Sequence, residues 1–198
     1  MKGKFIVFEG IDGVGKTTMA KKLAKDLDGL YTYEPGDCSI GPFVRKSVLG
    51  KTLLTHEARC LLFAAERLVH LQEVVIPTLE AGEHVICDRY IGSAIAYGAF
   101  GGGLPREWIE TLNEPALDLA KPDVTVYMTR PKVMDEFFDD GIGDYFESKG
   151  QSFMERVESG YLYQALNLAN QWAVIPVLEG DIEGTYSQIY DLVTGLGL

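Results

Sequence analysis

The chain is short of cysteine, short of basic charge and without a long apolar run, and each shortage narrows what it can be. Its three cysteines, Cys38, Cys60 and Cys87, form no C-x-x-C pair. An odd, scattered set supports neither a disulfide framework nor a zinc site, and reads as the reduced thiols of a cytoplasmic protein. Lys and Arg number 18 against 29 Asp and Glu, a formal net charge of −11. A surface that acidic argues against nucleic acid as a partner, while a local basic pocket can still hold a small phosphate. No stretch approaches the roughly 20 apolar residues of a membrane span. The N-terminal Met1-Lys2-Gly3-Lys4 is basic, but the apolar run after it leads into a glycine-rich loop, so it is not read as a secretory signal. The expectation is a cytoplasmic protein with no membrane and no nucleic-acid partner. At 198 residues, 46% of them hydrophobic and 24% charged, the chain suits one globular domain, residues 1–198. It has no internal repeat and no low-complexity tract.

What is present centres on VFEGIDGVGKTTMA, residues 7–20. Gly10, Gly15, Lys16 and Thr17 complete the pattern G-x-x-x-x-G-K-[ST], with Gly13 as a further kink-tolerant position. The apolar run Phe5–Phe8 precedes it and Met19-Ala20-x-x-Leu23-Ala24 follows, which gives the strand, loop and helix that the motif requires. The glycines let backbone N–H groups surround an anion, and the helix N-terminus adds partial positive charge. Lys16 supplies a whole charge, and Thr17 can offer its hydroxyl to a magnesium ion. This motif binds a nucleoside triphosphate; the candidate ATP-binding residues are Gly10, Asp12, Gly13, Val14, Gly15, Lys16, Thr17 and Thr18. Asp12 reads equally as a solvated turn aspartate, a hydrogen-bond acceptor for a sugar hydroxyl or a group reaching the magnesium shell.

Strand-like runs at Lys4–Phe8, Gly29–Tyr33, His84–Cys87, Val124–Met128 and Val174–Leu178 alternate with helical patterns. The helices are placed at Lys16–Leu27, Ile40–Leu49, His56–Glu80, Ile91–Ala99, Arg106–Leu119, Gly150–Gln171 and Thr185–Leu196. The alternation predicts an α/β, three-layer P-loop NTPase fold, with about five parallel strands flanked by helices. Ligands collect beyond the carboxyl ends of such strands, so the segments after each strand matter most. Val85-Ile86-Cys87-Asp88 is a buried strand ending in an acid, the usual source of a magnesium-ordering carboxylate. Arg89 follows and can clamp a phosphate bidentately. Ser93 and Tyr97 then share a helix face, where Tyr97 reads as core or as a wall of the sugar site. Arg45, after the second strand, reads as a surface ion pair or a phosphate contact.

In the long helix, Ala58, Leu61, Leu62, Ala65, Leu68, Val69, Gln72 and Val75 form the expected buried stripe. Phe63 leaves that stripe and shares a face with Arg59, Arg67 and His70. An aromatic plate next to a guanidinium suits a stacked base with carbonyl acceptors, although packing on a neighbouring helix explains Phe63 as well. The polar, glycine-spaced region at about 132–150 reads as a mobile lid or an ordinary surface loop. Arg156 in the following helix reads as a solvated side chain or as an arginine that reaches the site when the lid closes.

FEGIDGVGKTT, T-x-EPG, LLFAAER, DRYIGSAIAY and SFMERVESGYL resemble, in that order and over almost the whole chain, the thymidylate kinases, which phosphorylate dTMP to dTDP with ATP for dTTP synthesis. The resemblance implies that Phe63 stacks on thymine and Arg67 bonds its carbonyl. It implies that Asp12 meets the deoxyribose 3′-hydroxyl, that Arg45 and Arg89 hold the acceptor phosphate, and that Tyr97 excludes a 2′-hydroxyl. Ser93 and Tyr161 would complete the acceptor site, and Arg156 would lie near the transferring phosphoryl group. Lys16, Arg89 and Arg156 are thus the candidate catalytic residues, with Thr17 and Asp88 as candidate ligands of Mg2+. Members of the family are commonly homodimers joined through long helices, and the Ala58–Val75 stripe suits that role or a place in the core.

The chain also departs from the family pattern. Tyr33 stands where bacterial members usually carry the arginine of T-R-E-P-G, and Asp144-Tyr145-Phe146-Glu147 lacks the arginine of a D-R-I-E-like lid. Val14 occupies the P-loop region where members without a lid arginine often have one. Either Lys16, Lys149 and Arg156 supply the positive charge, or transfer is slow, or the acceptor differs from dTMP. The competing readings are a kinase for dUMP or a modified pyrimidine nucleotide, a nucleotide-binding module that has lost catalysis, and an ATPase that drives assembly of partners.

Overall fold

Five short apolar runs pair as parallel strands: β1 (Phe5–Glu9), β2 (Leu30–Tyr33), β3 (Val85–Asp88), β4 (Val124–Thr129) and β5 (Trp172–Pro176). Their order in the sheet is β2-β3-β1-β4-β5. The computed structural model describes residues 3–50, 52–129, 145–168, 171–195 and 197. Alternate residues of β1 enter opposite layers, as the two-residue strand repeat requires. Ile6 and Phe8 join Leu23, Met128, Met154 and Tyr161 on one side. Phe5 and Val7 join Leu71, Val85, Tyr90 and Ile109 on the other. A strand covered on both faces reads as a continuous apolar run, and β1 and β3 are buried throughout.

The helices are α1 (Lys16–Asp26), α2 (Gly41–Leu49), α3 (His56–His70), α4 (Ile76–Glu80), α5 (Ile91–Ser93), α6 (Arg106–Leu119), α7 (Gln151–Asn167) and α8 (Ile182–Thr194). A π-helical turn, Leu71–Val75, joins α3 to α4, and a second, Ala94–Gly101, continues α5. The expected single helix His56–Glu80 is therefore continuous in space but wider at its centre. The expected α/β architecture stands, and strand ends shift by a residue or two. Most of the lid region expected at about 132–150 lies outside the described residues. Of its C-terminal end, Tyr145 and Phe146 form a turn and Glu147–Lys149 a 3-10 turn.

The stripe expected to bury α3 is corrected by the structure. Leu61 is 50% exposed, Ala65 and Gln72 are exposed, and of the eight stripe positions only Val75 is buried. The buried face carries Arg59, Cys60, Ala64, Glu66, Arg67 and His70. Four of these six are acidic or basic side chains, and they enter the interior because they find partners there. Arg67 Nε donates to Glu34 Oε2 at 2.7 Å, and His70 Nδ1 lies 2.9 Å from Glu34 Oε1. Glu66 Oε1 accepts the Gly36 N–H at 2.8 Å. Periodicity ranks a helix face by apolar content, and a face of matched charges escapes it.

Candidate active site

Parallel pairing sets Phe8 opposite Asp88, so the loop after β1 and the Asp88-Arg89 step after β3 open side by side. Gly15 enters α1 with φ 89°, a left-handed conformation open to glycine. The first turn of α1 carries no acidic side chain of its own to compete for its N–H groups. Gly13, Gly15, Lys16 and Thr17 line that cleft with Asp88, Arg89, Arg45 and Lys21. Lys16 Nζ donates to the Ile11 carbonyl at 2.6 Å. Burial, helped by Arg89, lowers its pKa to about 8 despite the opposing pull of Asp12 and Asp88. The Thr17 hydroxyl donates to Asp88 Oδ2. Asp88 Oδ1 is buried with no hydrogen-bond partner. A carboxylate oxygen left open beside the Thr17 hydroxyl fits a magnesium ion, which takes oxygen ligands and keeps much of its water.

Arg89 is the hub of the site. It adopts φ 76°, a conformation that a non-glycine residue holds at a cost of about 1–3 kcal/mol. The turn sends its guanidinium across the mouth of the sheet. Nη1 donates to the Gly10 carbonyl at 3.1 Å, Ser93 Oγ at 2.9 Å and Tyr161 Oη at 3.0 Å, and Nη2 to Asp12 Oδ1 at 2.6 Å. The Tyr97 hydroxyl donates to Asp12 Oδ2 at 2.9 Å. Burial works to raise the Asp12 pKa, but Arg89 and Lys16 outweigh it and hold the carboxyl at about 2. Behind this cluster Glu9 Oε1 accepts the Tyr90 and Ser93 amides, each at 2.9 Å, and Oε2 accepts the Ser93 hydroxyl at 2.6 Å.

A second, largely apolar cavity opens on the other side of Arg89. Phe63, half buried, forms part of its wall with Tyr97, Phe146, Ile109, Arg67 and Asn113. Phe63 and Phe146 stand 6.2 Å apart between ring centres, and Tyr97 meets Phe146 edge-on at 5.1 Å. Phe63 thus faces open space and is not sealed in the core. Asp12, Glu34, Arg45 and Arg89 line both this cavity and the triphosphate cleft, so the two chambers share a wall.

Several expected site residues sit elsewhere. Arg156 is exposed; Nη1 donates to Ser152 O at 3.0 Å and Nη2 to Gly101 O at 3.1 Å, and it lines neither chamber. The Gly101 carbonyl, at the end of the second π-helical turn, and the Ser152 carbonyl of its own helix hold it there. Tyr161 is fully buried and holds Arg89 and Ser93 from behind without lining either chamber. The Val14 side chain lies in the core, and Thr18, exposed on α1, does not line the cleft. Gly10 contributes a carbonyl to Arg89. Lys149 lies over the Tyr145 ring at 4.4 Å, outside both chambers. Sequence reasoning missed Glu9, Glu34, Asn113, Phe146 and Lys21. Glu34 stood in plain view beside Pro35-Gly36, and Lys21 lies one turn beyond Thr17; the others give no local signal.

The family model described as Thymidylate kinase matches residues 8–189. The thymidylate kinase of Pelotomaculum thermopropionicum is 38% identical over 185 residues, covering 88% of this chain and 86% of that protein. The thymidylate kinase of Mesomycoplasma hyopneumoniae is 35% identical over 204 residues, covering 96% and 93%. The crystal structure of thymidylate kinase from Ehrlichia chaffeensis superposes with a TM-score of 0.81 at 28% identity, over 98% of this chain and 100% of that one. A glycine-cradled cleft joined through an arginine to an aromatic chamber, on a sheet of this order, agrees with those likenesses: the chain belongs to the thymidylate kinase family and phosphorylates dTMP to dTDP.

Proposed function

We propose that the triphosphate of ATP occupies the P-loop cleft, that dTMP occupies the aromatic chamber, and that the two phosphates meet at Arg89. The observation that carries this reading is the wall common to both chambers, formed by Asp12, Glu34, Arg45 and Arg89. Thymine stacks on Phe63 and offers a carbonyl to Arg67. Asp12 accepts from the deoxyribose 3′-hydroxyl, and Tyr97 closes the space a 2′-hydroxyl would need. Arg45 and Arg89 hold the acceptor phosphate. That phosphate is already an anion, so transfer needs alignment and charge neutralisation more than a base. Lys16 and the α1 amides stabilise charge on the donor phosphates. Thr17 and Asp88 would hold a magnesium ion, which supplies further neutralisation of phosphate oxygens when bound. Arg156 has no part in this arrangement, and Arg45 and Arg89 carry the positive charge on the acceptor side.

The test is ADP release measured over a panel of acceptors: dTMP, dUMP, dCMP, TMP with a ribose sugar, and none. The reading expects turnover with dTMP well above the others and loss of turnover in Lys16→Ala without loss of fold. Hydrolysis that ignores the acceptor would overturn it. We further propose that two copies pair through the apolar face that α3 leaves outside, including Leu61 and Ala65, because exposed apolar stripes on a helix mark contact surfaces.

A further inference from the structure

We propose that Asn113 is a positioning residue that fixes Arg67, and through it the preference for a pyrimidine that presents a carbonyl over one that presents an amino group. The inference rests on the reading of the aromatic chamber as the acceptor-base site. Asn113 lies within α6 and is 2% exposed, on the same buried face as Ile109 and Ala116. An apolar residue would pack there with no polar group to satisfy, and asparagine is a weak helix former. Its amide is nonetheless fully oriented. Nδ2 donates to the Ile109 carbonyl at 2.7 Å, which leaves Oδ1 to accept from Arg67 Nη1.

Arg67 is thereby held by three acceptors from three parts of the fold. Nε donates to Glu34 Oε2 at 2.7 Å at the end of β2, Nη2 to the Tyr90 carbonyl at 3.2 Å after β3, and Nη1 to Asn113. A guanidinium has five N–H groups, so two remain for a ligand. Glu34 already balances the charge. A second carboxylate at 113 would compete for the remaining donors, whereas a neutral amide adds an acceptor and leaves the positive field intact. Arg67 and Asn113 both line the chamber. A guanidinium locked in one plane offers donors alone, and an amino group facing it finds no acceptor. A guanidinium free to swing away from α6 loses that selectivity before it loses its charge.

The experiment measures kcat and KM for dTMP and dCMP in Asn113→Leu, Arg67→Met and the double variant. Asn113→Leu is expected to raise the dTMP KM about tenfold, leave kcat at saturation within about threefold, leave the ATP KM unchanged and shrink the dTMP-to-dCMP preference about tenfold. Adding Asn113→Leu to Arg67→Met should change the acceptor KM by less than about twofold, because the residue acts through Arg67. KM and the preference ratio do not depend on the fraction of enzyme folded, and Asn113→Ser provides a smaller polar replacement if the leucine variant does not accumulate. An equal effect of Asn113→Leu with and without Arg67, or an unchanged preference, would overturn the role of Asn113 alone. An unchanged dTMP KM in Arg67→Met would overturn the base-site reading, and the inference with it.

Discussion

Lys16 and Arg89 both sit in the mouth of the sheet, but their surroundings treat their charges differently. Burial lowers the Lys16 pKa to about 8, while Arg89 is held charged by Asp12 against its own burial. Lys16 is cationic below its pKa and neutral above it. If the charged form is needed for triphosphate, ATP affinity is steady below about pH 8 and falls about tenfold per unit above it, until the pKa of the bound state is reached. Calorimetric Kd values between pH 6.5 and 9.5 check this, and a flat profile would contradict it. Arg89 depends on neighbours for its aim. Tyr161→Phe removes one acceptor of its guanidinium and is expected to lower kcat about fivefold with ATP KM unchanged, as loss of about 1 kcal/mol of orientation implies. At this scale the sequence was legible where chemistry is local. The spacing of Gly10, Gly15, Lys16 and Thr17 defines a cleft within eight residues. Glu9 and Ser93 are 84 positions apart, Arg67 and Asn113 46 apart, and no pattern in the chain announces such pairs.

Among the elements, α3 shows where reading by polarity fails. Its start is foreseeable, with Thr55 capping the N-terminus by accepting the Ala58 amide. Its orientation is not, because Glu34 comes from the turn after β2 and offsets the burial of Arg67 and His70. Breaking one side of that network leaves a buried charge alone, so Glu34→Ala is expected to cost about 3–5 kcal/mol, read by urea unfolding. Leu61→Glu should barely change that stability. It should halve the particle mass in light scattering, if two copies meet on this face; an unchanged mass would place any contact elsewhere. The π-helical turn at Leu71–Val75 was equally hidden. An extra residue per turn alters which side chains point inward, and here both Leu71 and Val75 do.

For the molecule as a whole, the parallel sheet and its two covering layers were readable from the alternation of runs, since strands buried on both faces are written as unbroken apolar segments. Which crossover lies beside which was not, because strand order depends on contacts spread over the full chain. Ligands bridging both chambers tie elements on either side of the sheet. dTMP at a hundred times its Kd adds about 2.7 kcal/mol to stability, a rise in melting temperature of roughly 5–10 °C in calorimetry. Phe63→Ala should remove most of that rise while sparing the rise produced by ATP, and equal loss of both would refute base stacking. The partition between the chambers has one more implication. Because the guanidiniums of Arg45 and Arg89 belong to both rooms, a tethered compound with a nucleoside at each end of a polyphosphate string need not choose a door. Its grip should approach the product of the two separate affinities times the local concentration set by the string, and shortening the string by one link should forfeit most of that gain.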